Sequence, residues 1–241
     1  TISNNNIFNF LNQGFASNGI YLQANSTNWT ISGNSFYESV SLVPVAAVEY
    51  AAIRLANTTG DNYTISGNFI GGSGPQCTAA ALTKTNGNNN IFYGIFFDVS
   101  SSTSSNIQDN TIRNISWSNS GAADWTGIHI ASGSVNIGTT NGNTIGSATG
   151  TGSITISNSG AIDGNVIGIR HQSSGNGSIQ NNQIGSITTQ STTTAPSNFY
   201  GIYKSGGSGT LIISGNTIGS TSTSNSINAS STTTGVAQLV Y

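Results

Sequence analysis

Six bulky side chains recur directly after one short element, a small residue followed by a β-branched residue. Side chains alternate between the two faces of a strand, so the residue after this pair is expected to point outward. The residues at this position, here called the aromatic–cationic strip, are Tyr21, Arg54, Phe96, His129, Arg170 and Tyr203. Aromatic rings stack on sugar rings, and arginine pairs bidentately with uronic or sialic carboxylates. The pattern therefore predicts a surface that binds a polysaccharide or a cell-surface glycan.

The same strip allows two other interpretations. In the first, its side chains only stack on one another and stabilise the protein. In the second, Asp98 and His129 act as acid and base, as in a polysaccharide lyase or glycoside hydrolase. Arg54 or Arg170 would then stabilise the developing charge. A glycosidase needs two carboxylates about 5 to 10 Å apart, and Asp98 has no partner carboxylate in the strip, so we predict no catalytic residue.

Composition excludes several other kinds of site. The chain has 241 residues with only five Lys plus Arg and a net charge of −2, which argues against nucleic-acid binding through a basic surface. Two histidines and the single cysteine, Cys77, follow no metal-ligand spacing, so we expect no metal, no cofactor and no disulfide. No run of 18 apolar residues is present, so we expect no membrane insertion.

The small and β-branched pair is the first of two elements that define a repeat. It runs from Gly19-Ile20 through Gly94-Ile95 to Gly235-Val236, at intervals of 33, 42, 33, 41, 33 and 34 residues. Seven near-copies with a period in the thirties and no 3.6-residue apolar pattern predict an all-β repeat protein.

The second element is the hexad Ile-x-x-Asn-x-Ile/Phe, as in ISGNSF at 31–36 and IQDNTI at 107–112. TNGNTI at 140–145 fits this hexad with Thr140 in first place, and IDGNVI at 162–167 is interpreted as an extra copy. The hexad Asn follows the small residue of the pair by 14 to 16 residues in each repeat. One half of the repeat is therefore constant in length, and the half after the hexad is variable.

Three β architectures have a repeat that could match. A β-propeller blade needs four strands, whereas each repeat here offers two or three short ones. A β-sandwich array would need about 90 to 100 residues in each unit. We therefore predict a right-handed parallel β-helix solenoid of about seven coils, with variable loops and a single domain over residues 1–241.

In a β-helix the two outer hexad residues would point inward from strands on either side of a bend. We expect the Asn to adopt the left-handed backbone conformation at this bend. Its amide would hydrogen-bond the Asn one coil above and below, about 4.8 Å away. The predicted ladder consists of Asn5, Asn34, Asn68, Asn110, Asn143, Asn182 and Asn216.

With these repeats over essentially its whole length, the chain resembles the right-handed parallel β-helix repeat proteins, the superfamily that includes pectate lyases. More than half of the residues are Asn, Ser, Thr or Gly. This composition is similar to that of repeat regions in very large secreted surface proteins of Bacteroidota-type bacteria. The resemblance implies extracellular or cell-surface delivery, with adhesion or with glycan binding or cleavage. Since no catalytic signature of the superfamily is present, we expect a non-enzymatic stalk or adhesive segment.

The variable half of the repeat is predicted to form loops. The longest are Tyr37 to Tyr50 and two insertions at 71–90 and 146–164, and Thr/Ser tracts follow near 188–194 and 220–234. Neither end of the chain resembles the polar cap that a repeat protein needs. We therefore expect a slice of a longer repetitive chain whose open ends are covered by neighbouring coils or by another protein.

Ice binding would require regular outward Thr columns on a flat face. The nearest column lies between the hexad Asn and the last hexad residue. It reads Asn6, Ser35, Phe69, Thr111, Thr144, Gln183 and Thr217. Three Thr in seven positions is too irregular for this function.

Overall fold

The fold is built from short, parallel β-strands. A computed structural model describes residues 1–85, 87–234 and 237–241. Over these residues the chain forms strands numbered β1 to β25 in chain order and one 3₁₀ turn at Pro75–Cys77. The strands form four sheets, here called A to D, in which paired strands run parallel.

Sheets A and B contain the strands on either side of the hexad Asn. Sheet A consists of β1 (Ile2–Ser3), β4 (Thr30–Ser32), β7 (Thr64–Ser66), β11 (Ser105–Gln108), β15 (Val135–Ile137), β19 (Gly177–Gln180) and β23 (Leu211–Ser214). Sheet B consists of β2 (Asn6–Phe8), β5 (Ser35–Tyr37), β8 (Phe69–Ile70), β12 (Thr111–Ile112), β16 (Thr144–Gly146), β20 (Gln183–Gly185) and β24 (Thr217–Ile218).

Sheet C contains the strands around the Gly-Ile pair, and sheet D lies in the variable half of the repeat. Sheet C consists of β3 (Ser17–Leu22), β6 (Glu49–Asn57), β10 (Ile91–Val99), β14 (Trp125–Ser132), β18 (Gly164–His171) and β22 (Ser197–Lys204). Sheet D consists of β9 (Leu82–Lys84), β13 (Ile115–Asn119), β17 (Ile154–Asn158), β21 (Ile187–Ser191) and β25 (Ile227–Ser231).

Neighbouring strands of each sheet come from successive repeats, and equivalent residues lie opposite one another. In sheet A, for example, Ile65 lies opposite Ile31 on one side and Ile107 on the other. These isoleucines are fully buried, and burying each such side chain contributes about 1.5–3 kcal/mol. The all-β class is confirmed, and four parallel sheets whose neighbouring strands come from successive repeats are consistent with a parallel β-helix.

The Gly of the Gly-Ile pair is required by close packing in the core. A Cβ added at Gly94 would lie 2.6 Å from the carbonyl oxygen of Gly127 and 2.8 Å from Cδ1 of Ile112. Because Ile112 closes the hexad of the same repeat, the pair and the hexad pack directly against each other. This contact explains why the spacing between the two elements is nearly constant.

The hexad asparagines are joined by hydrogen bonds from one repeat to the next. Both Nδ2 and the backbone N of Asn110 donate to Oδ1 of Asn143, at 2.9 and 3.0 Å. Nδ2 of Asn110 also donates to the carbonyl oxygens of Ile65 and Gln108. The amide-to-amide contact also joins Asn5 to Asn34, Asn34 to Asn68, Asn68 to Asn110, Asn143 to Asn182 and Asn182 to Asn216. These bonds satisfy amides that would otherwise be costly to bury.

The expectation of a left-handed hexad Asn is wrong, because in six of the seven hexads the left-handed residue is the one before it, the exception being Gly142 before Asn143. This third hexad position has a φ of 66° at Gly33, 62° at Gly67 and 55° at Asp109. Glycine adopts such values without strain, and Asn and Asp tolerate them better than other residues. The bend therefore leaves the following Asn free to point its amide along the stack.

Two hexad assignments are also wrong. Ile137, and not Thr140, occupies the first hexad position of its repeat, because Ile137 pairs with Ile107 and Ile179. Residues 138–140 are thus an insertion before the hexad Asn. Ile162 is 62% exposed and precedes β18, so IDGNVI is not a further hexad. The pair Gly235-Val236 lies outside the described residues.

The segments predicted as loops contain the strands of sheet D. The insertions at 71–90 and 146–164 hold β9 and β17, and the two Thr/Ser tracts overlap β21 and β25. In the Tyr37–Tyr50 segment, the backbone N of Leu42 donates to the carbonyl oxygen of Thr83 at 2.8 Å. Leu42 thereby extends the edge of sheet D.

Candidate ligand-binding face

The aromatic–cationic strip forms one continuous row across the outer face of sheet C. Each member lies opposite the next on a neighbouring strand, in the order Tyr21, Arg54, Phe96, His129, Arg170 and Tyr203. Parallel strands lie about 4.8 Å apart, so adjacent side chains are in contact. The register therefore brings the six residues together in one row, and their role in binding a ligand stays a prediction.

Arg54 is held on three sides by protein groups. Its Nη2 forms an ion pair with Oε1 of Glu49, and its Nε donates to Oδ1 of Asn18 at 3.1 Å. Its guanidinium lies 4.4 Å from the ring centroid of Phe96, within the range of a cation–π interaction. The Arg54 side chain is 16% exposed, so little of its charge faces solvent.

His129 is buried in the middle of the strip. Its Nε2 donates to Oε1 of Gln172 at 2.6 Å, because an amide oxygen can only accept. Its ring lies 5.2 Å from that of Phe96 and 5.0 Å from that of Tyr93. Burial is the largest cause that lowers the pKa of His129. Burial therefore favours the neutral imidazole, and its Nδ1 has no hydrogen-bond partner in the described part of the chain.

Arg170 is paired in the same way as Arg54. Its Nη1 lies 3.0 Å from Oδ2 of Asp124, and its Nε donates to Oγ of Ser205 at 3.2 Å. Its guanidinium lies 5.6 Å from the ring centroid of Tyr203. Both arginines of the strip thus neutralise a carboxylate of this chain.

A stack of three tyrosines extends the strip at one end. The ring of Tyr200 lies 4.8 Å from that of Tyr203 and 4.7 Å from that of Tyr241. Tyr241 is 59% exposed, so this stack offers an aromatic surface to solvent. At the other end, a cavity of about 180 Å³ is lined by Tyr21, Arg54, Glu49, Asn18 and Ala16.

The acid–base pair considered in the sequence is not assembled. Oδ1 of Asp98 accepts a hydrogen bond from Oγ of Ser132 at 2.5 Å, whereas His129 binds Gln172. Among the described residues, no hydrogen bond joins Asp98 to His129. The two residues therefore cannot exchange a proton directly in this arrangement.

Sequence reasoning missed Glu49, Asp124, Tyr93 and Tyr200. Tyr93 and Tyr200 lie three residues before Phe96 and Tyr203, which strict alternation assigns to the inner face. They face outward because both residues of the Gly-Ile pair point into the core, as the contact of Gly94 with Ile112 requires. The small residue of the Gly-Ile pair could have revealed the two tyrosines. Because this residue points into the core as the Ile does, strict alternation fails there and the residue before the pair faces outward.

Other functional groups are scarce in the described residues. No group of three or more His, Cys, Asp or Glu side chains lies together there in a way that could hold a metal ion. No described helix has the length and hydropathy needed to cross a membrane. The thiol of Cys77 is buried, and burial raises its pKa to about 11, which makes it a poor nucleophile.

Comparisons with known proteins gave no match. No protein-family model, no curated protein and no solved structure matches this chain.

Proposed function

We propose that this chain is part of a right-handed parallel β-helix of about seven coils that serves as a non-enzymatic stalk or adhesive segment. The parent protein is a large extracellular or cell-surface protein of a bacterium. One observation carries the proposal: the cationic and imidazole groups of the strip are bonded to other groups of the chain. Such groups stabilise a stack of coils better than they serve a reacting substrate.

The continuous contacts between repeats support the ladder and the stalk. Six amide-to-amide hydrogen bonds link the seven hexad asparagines. Neighbouring repeats pair through sheets A and B along the whole stack and through sheets C and D over most of it, and such repeat proteins form long, continuous structures. A rigid rod of this kind suits a spacer on a cell surface.

The last strands of sheets A and B carry exposed isoleucines. This exposure supports the proposal that further coils or another protein cover the stack at this end. Ile213 and Ile218 are 50% and 46% exposed. Their counterparts in the middle of the stack, such as Ile107 and Ile112, are fully buried. Exposed isoleucines beside unpaired strand edges are costly in water.

The fold proposal is tested by replacing one asparagine in the middle of the ladder. We expect Asn110→Leu to lower the free energy of unfolding by about 1–3 kcal/mol, because it leaves neighbouring amides unpaired. Thr111→Val is the matched control, since Thr111 lies in the same hexad but is only partly buried, whereas Asn110 is fully buried. Equal effects of the two changes in denaturant titrations followed by circular dichroism would contradict the ladder.

Weak glycan binding along the strip is tested with a glycan array. Each aromatic ring contributes about 0.5–1.5 kcal/mol, so affinity for a short oligosaccharide should be near millimolar and useful only through repetition. If the strip itself holds the glycan, Tyr21→Ser, Phe96→Ser and Arg170→Ser should each weaken the binding. Glycan binding that is indifferent to all three changes would show that the strip only stabilises the fold.

The non-enzymatic part of the proposal is tested with acidic polysaccharides. We expect no turnover of pectin or alginate, with or without calcium. Release of unsaturated products that is abolished by Arg170→Ala or His129→Ala would overturn the proposal in favour of a lyase.

A further inference from the structure

A groove on the outer face of sheet A differs from the strip in charge and in position. Its volume is about 370 Å³, within the usual range of about 300–1,000 Å³ for small-molecule sites. The lining residues are Ser104, Asn136, Asn176, Gly177, Ser178, Thr210 and Ile212. All seven are neutral, so the groove has no charge to pair with an ionic ligand.

The floor of the groove is set by the register of sheet A. Asn136, Ser178 and Ile212 lie opposite one another on β15, β19 and β23. Ser104 directly precedes β11, so the groove runs along the stack across four strands. At about 4.8 Å between strands, this is a span of about 14 Å, which suits an elongated ligand.

The polar groups of the groove are free to bind a ligand. Asn176 uses its Oδ1 to accept from the backbone N of Thr210 at 2.9 Å, which leaves its Nδ2 available. Within the described residues, the amide of Asn136 and the hydroxyls of Ser178 and Thr210 form no hydrogen bond with protein. Donors and acceptors therefore face one space together with Ile212, which is 52% exposed.

We propose that this groove binds a neutral oligosaccharide. Amides and hydroxyls both donate and accept, as the hydroxyls of a neutral sugar do, and Ile212 offers an apolar contact for the C–H face of a sugar ring. A uronic acid would lose water from its carboxylate without gaining a cation. The inference deepens the proposed adhesive function and rests on it for the class of ligand, but it places the site on sheet A instead of sheet C.

The test is calorimetric titration with neutral hexasaccharides of glucose, xylose and mannose, with oligogalacturonate as the acidic comparison. We expect one neutral series to bind more tightly than the acid. Ser178→Lys should weaken that binding at least about tenfold, because the lysine fills the groove. Thr64→Lys is the matched control, since Thr64 lies in the same outward column of sheet A but outside the groove, and it should bind as the original chain does.

A second variant keeps the test decisive if the lysine disturbs folding. Ile212→Ser changes an exposed side chain and should also weaken neutral binding severalfold. Equal binding by the Ser178→Lys and Thr64→Lys proteins, or tighter binding of oligogalacturonate, would overturn the groove. Binding lost in Phe96→Ser but kept in Ser178→Lys would overturn the groove and leave the strip as the adhesive surface. If no saccharide of either class binds, the groove and the glycan-adhesive function both fail, and only the stalk remains.

Discussion

The aromatic–cationic strip and the sheet A groove lie on two outer faces of the same stack, and they differ in what their polar groups contact. In the strip, Arg54 and Arg170 bind Glu49 and Asp124. In the groove, the side chains of Asn136 and Ser178 form no hydrogen bond with another protein group among the described residues. The charged residues of the strip are thus already paired with other groups of the protein. The neutral polar side chains of the groove are available to a ligand.

This difference teaches that residue type alone does not identify a binding surface. A half-buried guanidinium with a carboxylate and an aromatic ring beside it has exchanged its water for protein partners. A ligand would have to displace those partners, whereas a ligand in the groove only displaces water. Stability measurements should therefore respond to the strip, and binding measurements to the groove.

The largest expected effect is the loss of Phe96. Its ring contacts the guanidinium of Arg54 and the rings of Tyr93 and His129. We expect Phe96→Ser to lower the free energy of unfolding by about 2–3 kcal/mol, from lost burial and lost ring contacts. Ser178→Ala in the groove should change it by less than about 0.5 kcal/mol. Similar effects of the two changes in urea titrations would remove the distinction between the faces.

Loss of an ion pair should have a smaller effect. Arg170→Met keeps much of the aliphatic stem but leaves the carboxylate of Asp124, which is 20% exposed, without its cation. Asp124 retains hydrogen bonds from the backbone N and Nδ2 of Asn165, so we expect a loss of about 1 kcal/mol. The double change Arg170→Met with Asp124→Asn should recover part of that loss. If the single change is neutral at low salt, the pair does not contribute to stability.

The parts of the fold that follow from burial were predictable from the sequence. The distance from the Gly-Ile pair to the hexad is nearly constant, because the Gly of the pair packs against the last hexad residue, as Gly94 does against Ile112. Thr140 was misplaced because an insertion before Asn143 imitates a hexad start. Sheet D was missed because β21 and β25 are rich in Ser and Thr and resemble loop sequence.

The candidate sites were less predictable than the fold. The strip was visible because large side chains stand out in a chain of small polar ones. Its partners Glu49 and Asp124 precede the Gly-Ile pair, and their distance to the arginines depends on how each strand enters sheet C. No residue type in the sequence marks the groove. Its polar surface depends on which amides and hydroxyls form no hydrogen bond with protein once the turns before sheet A have formed.

The buried histidine of the strip should make the stability of the protein depend on pH. Burial lowers the pKa of His129, so below pH 6.5 the unfolded chain holds its proton more tightly than the folded chain does. The free energy of unfolding should therefore fall as pH falls below 6.5, and His129→Gln should reduce this fall. Buried Glu38 acts in the opposite direction, because desolvation raises its pKa to about 7. Its contribution to stability is fully present below pH 4.5 and is lost as pH rises through 7.

These two effects oppose each other between pH 4.5 and 6.5, so they are best separated by mutation. Unfolding should be measured from pH 4.5 to 7 in a Glu38→Gln chain, with and without His129→Gln. His171 is also buried, and its pKa is lowered to about 4, so part of the fall should persist after His129 is replaced. Identical pH profiles of the two chains would show that His129 does not titrate differently in the folded state.

The smallest expected effect is that of salt and pH on binding in the groove. No lining residue of the groove is ionisable, so the affinity for a bound neutral hexasaccharide should change by less than about twofold between roughly 0.05 and 0.5 M NaCl. It should also be constant from about pH 5 to pH 9, where Asn, Ser and Thr side chains do not titrate. Binding of an acidic glycan to Arg54 and Arg170 would weaken severalfold over the same salt range, because added ions screen exposed charges. A neutral ligand whose affinity falls with salt would therefore contradict the groove and point to the charged groups of sheet C.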